Sequence, residues 1–118
     1  MHPISVTNHC IVRFLERVDG YDFTDLKLEY MLENAIPSMR YIKDGEFVRW
    51  IGARLDVTPF RERILLFIEP FMTEGIWNNI RQSPRREQVV FADKFKFIIC
   101  DRKVITVLDK RENDLQGV

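Results

Sequence analysis

The sequence predicts an α+β fold in which two N-terminal helices pack on a mostly antiparallel sheet. Three observations lead there. Residues 25–36 place Leu28, Met31, Leu32, Ala35 and Ile36 at the 3.6-residue spacing of an amphipathic helix. From residue 39 onward the chain is dominated by runs of branched and aromatic residues broken by turn signals such as Asp44-Gly45. Helical character thus precedes strand character instead of alternating with it, which separates α+β from a wound α/β order.

Each element has its own warrant. Ile4-Ser5-Val6 reads as a short strand, and Thr7 or Asn8 as the N-cap of a first helix that breaks at Asp19-Gly20-Tyr21-Asp22. Thr24 caps the second helix and Pro37 ends it, with Asp25, Glu29 and Glu33 on the polar face. Residues 39–43 and 47–55 flank Asp44-Gly45 as a β-hairpin. Residues 63–69 contain the unbroken apolar run Ile64-Leu65-Leu66-Phe67-Ile68, which fits a central strand closed by Pro70. Residues 71–87 read as a short helix or a loop. Strands resume at 88–92, 95–100 and 104–108, the last two joined tightly at Asp101-Arg102-Lys103. The expected core is Leu28, Met31, Leu32 and Ile36 against Leu65, Phe67, Phe97, Ile99 and Val107, or the residues alternating with these on the same strands.

At 118 residues, 46% hydrophobic and 31% charged, the chain fits one globular domain over residues 1–118, with a polar flexible tail from 110 to 118. No apolar run reaches the roughly 20 residues of a membrane helix. The first residues lack a secretory pattern, so a cytoplasmic location and no membrane are expected. Cys10 and Cys100 are too isolated for a zinc motif or a disulfide framework and read as reduced thiols. Glycine-rich phosphate loops and clustered metal-ligand patterns are missing, so neither metal nor cofactor is expected.

Net charge is zero, which argues against a nucleic-acid binder relying on bulk charge. The distribution is uneven. Residues 1–36 hold three basic and six acidic residues, a balance of −3, whereas 37–86 hold nine basic and six acidic, a balance of +3.

In the first helix His9, Arg13 and Arg17 recur every four residues and share one side, while Ile11, Phe14, Leu15 and Val18 lie on the side available for packing. A titratable imidazole beside two permanent cations suits an anion, with phosphate the commonest choice. The plainer reading makes His9 a solvated first-turn residue and pairs the arginines with Glu16, Asp19 or acids of the second helix. Arg40, Arg49 and Arg54 around Trp50 form a second set suited to nucleic acid, with the indole stacking on a base. Core placement of Trp50 is the plainer alternative.

The segment Thr7-Asn8-His9-Cys10-Ile11-Val12-Arg13-Phe14-Leu15-Glu16-Arg17-Val18, together with Val104-Ile105-Thr106-Val107-Leu108, resembles a group of small bacterial and phage proteins of uncharacterised function. Their ends read T-x-H-A-x-x-R-F-x-E-R-V and V-I-T-V-L. Such proteins are thought to be similar to the RelE and barnase–EndoU–colicin ribonuclease superfamily. The resemblance implies a RelE-like arrangement and an RNA-binding protein that cleaves RNA without metal or cofactor. In that reading His9 moves the proton, Arg13 and Arg17 hold the phosphate, and Thr106 donates a hydrogen bond. Cys10 stands where the group has alanine, and residues 56–94 exceed what such compact domains require. The alternatives are a non-catalytic phage or mobile-element protein that regulates a host protein partner, with Trp77, Arg81, Arg85 and Arg86 as interface anchors, and an obligate homodimer.

Overall fold

The computed structural model describes residues 3–109. The fold is α+β, with five α-helices and one four-stranded mixed sheet among the described residues. The expected tail at 110–118 lies outside the described residues.

The chain enters through β1 (Ser5–Val6), which pairs in parallel with β4 (Lys103–Asp109). Helix α1 (Asn8–Arg17) follows at once, its first turn capped by the Thr7 hydroxyl, which accepts from the Cys10 amide at 3.1 Å. Cys10, Ile11, Val12, Phe14 and Leu15 are all buried, so this helix is the central strut of the fold. It lies along β4 and against two later helices, over Asp44–Gly52 and Thr58–Ile68. Phe14 is fully enclosed and meets Phe67 edge-on at 5.6 Å and Phe97 at 6.3 Å. Burying such a ring contributes about 1.5–3 kcal/mol.

Strands β2 (Gln88–Ala92), β3 (Phe95–Cys100) and β4 form an antiparallel meander, giving the sheet order β1-β4-β3-β2. Side-chain alternation puts Val90, Phe97, Ile99, Val104 and Val107 in the core. A register shift at Ile98/Ile99 keeps Val104 and Val107 both on that inner face. Thr106 pairs with Ile98 on the outer face. The β3–β4 turn holds Asp101 and Arg102 at φ 55° and 61°, the double positive-φ geometry of a two-residue hairpin loop.

Two expected strands are helices. Residues 44–52 form α3 (Asp44–Gly52): Asp44 and Glu46 supply first-turn acids, and Phe47, Val48 and Ile51 are buried at helical spacing. Asp44-Gly45 therefore starts a helix instead of turning a hairpin, and only a short 3-10 turn at Met39–Tyr41 precedes it. The apolar run at 64–68 closes α4 (Thr58–Ile68), which buries Ile64 and Ile68 one turn apart. The Asp56 carboxylate accepts from the Thr58 amide and Pro59 sits in the first turn, both favourable to a helix start. A dense apolar run carries no period, so a buried helix and a buried strand look alike. Residues 74–82 form α5 (Glu74–Gln82), capped by Thr73 and burying Ile80.

The second expected helix is present as α2 (Thr24–Glu33), with the Asp22 carboxylate, not the Thr24 side chain, receiving the Thr24 amide. Its orientation is reversed. Leu32 is 85% exposed and Leu28 45%, so neither is in the core, and Met31 and Ile36 are only half-buried. The inward side is Tyr30, packed edge-on to Phe47 at 5.5 Å and Trp50 at 5.3 Å, while Phe23 just before the helix meets Phe47. This aromatic cluster between α2 and α3 fills the space the leucines were expected to take.

Candidate functional site

The row on α1 forms as its spacing requires: His9, Arg13 and Arg17 are half-buried on one side of the helix, with Phe14 buried opposite and Val18 half-buried. The cations are engaged. Arg13 donates to Glu16 one turn on at 2.9 Å and, through its other terminal nitrogen, to Asp44 at the start of α3. Arg13 thus ties α1 to α3 with one guanidinium between two carboxylates. Arg17 donates to the Val107 carbonyl of β4. Strand β1 is only two residues long, so the β4 edge beyond it would expose carbonyls; the Thr7 hydroxyl, 3.2 Å from both the Val104 and Ile105 carbonyls, and Arg17 cover them.

Burial, and then the neighbouring Arg13 and Arg17, hold the His9 imidazole below its ordinary value, against the opposing pull of Asp44 and Glu16. It is therefore neutral at pH 7, a form able to accept a proton. The four residues do not gather around one concavity, because Thr106 faces the outer side of the sheet while α1 packs on the inner side.

The second set is similarly committed. Trp50 stacks on Phe47 with ring centroids 6.0 Å apart, and Arg54 lies 4.1 Å over its ring. The indole N–H donates to Glu33 at 2.7 Å, and Arg54 also bonds Glu33, so the carboxyl is held below the usual range first by Trp50 and then by Arg54. That leaves little of the indole for a base. Arg40 lies over Tyr41, its own neighbour. Arg49 is exposed and lines a shallow groove of about 420 Å³ with Tyr30, Glu46 and Trp50.

Among the described residues, apolar features outside both sets include Leu66 on α4, 68% exposed beside Leu65, Glu62 and Glu69, and two more on the α2 side. One is the outer side of α2, where Leu28 and Leu32 are flanked by Asp25 and Glu29. The other is a groove of about 570 Å³ between the α1–α2 turn and the α3–α4 turn, floored by Leu15 and Phe23 and walled by Tyr21, Leu55 and Phe60. The sequence signal for the groove was the pair Tyr21 and Phe23 inside a segment that otherwise reads as a helix breaker. Among the described residues no group of three or more His, Cys, Asp or Glu side chains is placed to hold a metal, and no helix is long and apolar enough to cross a membrane. Cys10 and Cys100 are both free thiols, and burial pushes Cys10 up to about 12.

Comparison with protein-family models, with curated proteins and with solved structures finds no match to this chain.

Proposed function

We propose that this chain is a non-catalytic binding module that acts on a protein partner, and that the outer side of α2 is its docking face. The observation that carries this is the exposure of Leu28 and Leu32 on successive turns of a helix that buries only Tyr30. Folding gains little from those leucines, and a pair of large exposed apolar side chains rimmed by charge is the usual chemistry of an interaction surface. The acids Asp25 and Glu29 alongside them belong to residues 1–36, the segment with a balance of −3.

The ribonuclease reading has one support, the neutral imidazole of His9. Against it, Arg13 stands between two carboxylates and Arg17 is bound to backbone, so neither guanidinium is positioned for a phosphorane. The α1 row is better explained as the bracket that joins α1 to α3 and covers the β4 edge.

The test compares cross-linked capture from a lysate of expressing cells by three proteins: wild type, Leu28→Ser/Leu32→Ser and His9→Ala. The expected result is one captured set, kept by His9→Ala and lost by the double variant. Capture unchanged in the double variant, or metal-independent RNA cleavage that disappears in His9→Ala, would overturn the reading.

A further inference from the structure

The outer face of the sheet takes no part in the core. The buried side chains of all five helices join the inner-face cluster with Val90, Phe97, Ile99, Val104 and Val107. Ile98 is only 8% exposed, yet it stands outside that cluster. Strand alternation gives the reason. Phe97 and Val107 point inward, so the pairs Ile98–Thr106 and Lys96–Leu108 point away from the helices. Val89 and Phe91 continue these two rows onto β2. Phe91 is 55% exposed there, cross-strand from Lys96. A large ring in solvent beside a cation contributes little to folding and offers a flat π surface to a ligand.

One end of this face is strongly basic. The pair Cys100–Lys103 ends it, and two turns from distant parts of the sequence are joined there. The Asp101 amide donates to the Pro84 carbonyl at 2.7 Å, and the Cys100 thiol donates to the Arg85 carbonyl at 3.2 Å. The 83–86 turn is itself closed by the Arg86 amide on the Ser83 carbonyl at 2.9 Å. Arg85, Arg86, Arg102 and Lys103 are thereby gathered at one rim, all exposed, with Arg81 on the last turn of α5 just before it. Residues 81–87 and 101–103 hold five cations and two carboxylates, Glu87 and Asp101, a balance of +3 in a chain whose net charge is zero. None of the five enters an ion pair among the described residues, in contrast to Arg13, Arg54 and Arg63. Guanidinium forks left open in this way match phosphate oxygens.

Rim and ring belong to the same face. From Cys100 to Lys96 is about 14 Å of strand, a span that a short run of nucleotides covers. Phosphates meet the rim, a base stacks on Phe91, and Lys96 stands beside that ring. A charged track leading to an aromatic platform is how proteins hold a single strand whose bases are unpaired. A duplex hides its base faces, and an acidic peptide would engage the rim while leaving the ring unused.

We propose that the outer face of the sheet, with the rim of Arg85, Arg86, Arg102 and Lys103, binds single-stranded nucleic acid. This surface is separate from the α1 row and from the α2 ridge, and the inference does not rest on the protein-partner reading. Stacking is indifferent to base identity, so the binding tolerates sequence.

The probes are labelled octathymidylate and octauridylate, titrated with the full chain and followed by fluorescence anisotropy. Saturable binding of at least one is expected, and the sugar preferred identifies whether DNA or RNA is the natural source. Affinity should fall with salt at a log–log slope of about −2 to −3.5, the value for about three to five phosphates on a single strand. Arg85→Gln/Arg102→Gln should weaken binding by about tenfold or more and flatten that slope. Phe91→Leu, which stays apolar and cannot stack, should weaken it by about fivefold or more with the slope unchanged. Leu28→Ser/Leu32→Ser should bind as wild type does, whatever becomes of the protein partner. A hairpin duplex and an oligoglutamate of equal charge should compete poorly. Absence of saturable binding, wild-type affinity in the rim or the ring variant, loss of binding in the leucine variant, or full competition by duplex or oligoglutamate would each overturn the proposal.

Discussion

At the scale of single residues, the chemistry of α1 is decided by partners more than by identities. His9, Arg13 and Arg17 look like an anion site when read along the helix, yet Arg13 meets Glu16 and Asp44 and Arg17 meets a strand carbonyl. Glu16 was visible in the sequence at the right spacing for a pair; Asp44, brought up by a helix read as a hairpin, was not. His9 has a measurable consequence. Its imidazole is held below the ordinary histidine value by burial and by the two arginines, so the folded state resists the proton that the unfolded chain accepts near pH 6.5. The unfolded state then binds more protons in that window. Stability is fully present above about pH 6.5 and is lost as pH falls from there toward the folded value. In urea unfolding, wild type should lose more between pH 7.5 and 5.5 than His9→Gln does. A wild type that gains on His9→Gln at pH 5.5 would mean that Asp44 and Glu16 outweigh burial and the arginines.

At the scale of elements, legibility followed periodicity. Strands β2, β3 and β4 were readable because they alternate in short runs between turn residues, and α1 was readable because its N-cap and two faces are distinct. Helices α3 and α4 were not, since Phe47 to Ile51 and Ile64 to Ile68 are apolar almost without interruption. The N-terminal signals of α4, Asp56 and Pro59, stand in the sequence just ahead of the apolar run. For α2 the spacing located the helix as far as Glu33, while Ala35, at φ 52°, and Ile36 fall beyond its end short of Pro37, and the facing is reversed. A periodic stripe shows that one side of a helix is apolar, and says nothing of whether the protein's own core covers it. The β3–β4 hairpin offers an independent check. Arg102 adopts φ 61° with a full side chain, a conformation that costs a non-glycine residue about 1 kcal/mol. Arg102→Gly should therefore raise the urea midpoint, by about 0.5–1 kcal/mol in stability. A loss of stability would show that the arginine side chain contributes more than its backbone costs.

At the scale of the whole molecule, the hydrophobic core is built from α1, α3, α4 and the inner face of the sheet, and α2 lies at its margin, joined mainly through Tyr30. The proposed docking surface for a protein partner, the α2 ridge, sits on that margin. The acidic segment 1–36 and the apolar stripe are both legible in the sequence, which assigns the stripe to folding. In the structure the stripe faces away from the core, and that reversal is the centre of the functional proposal. Equilibrium urea unfolding of Leu28→Ser/Leu32→Ser tests it most directly. If the leucines serve a partner, the double variant should unfold within about 0.5 kcal/mol of wild type, as surface substitutions do. A loss of about 2 kcal/mol or more, the scale of buried leucines truncated in a core, would return α2 to the interior and contradict the account.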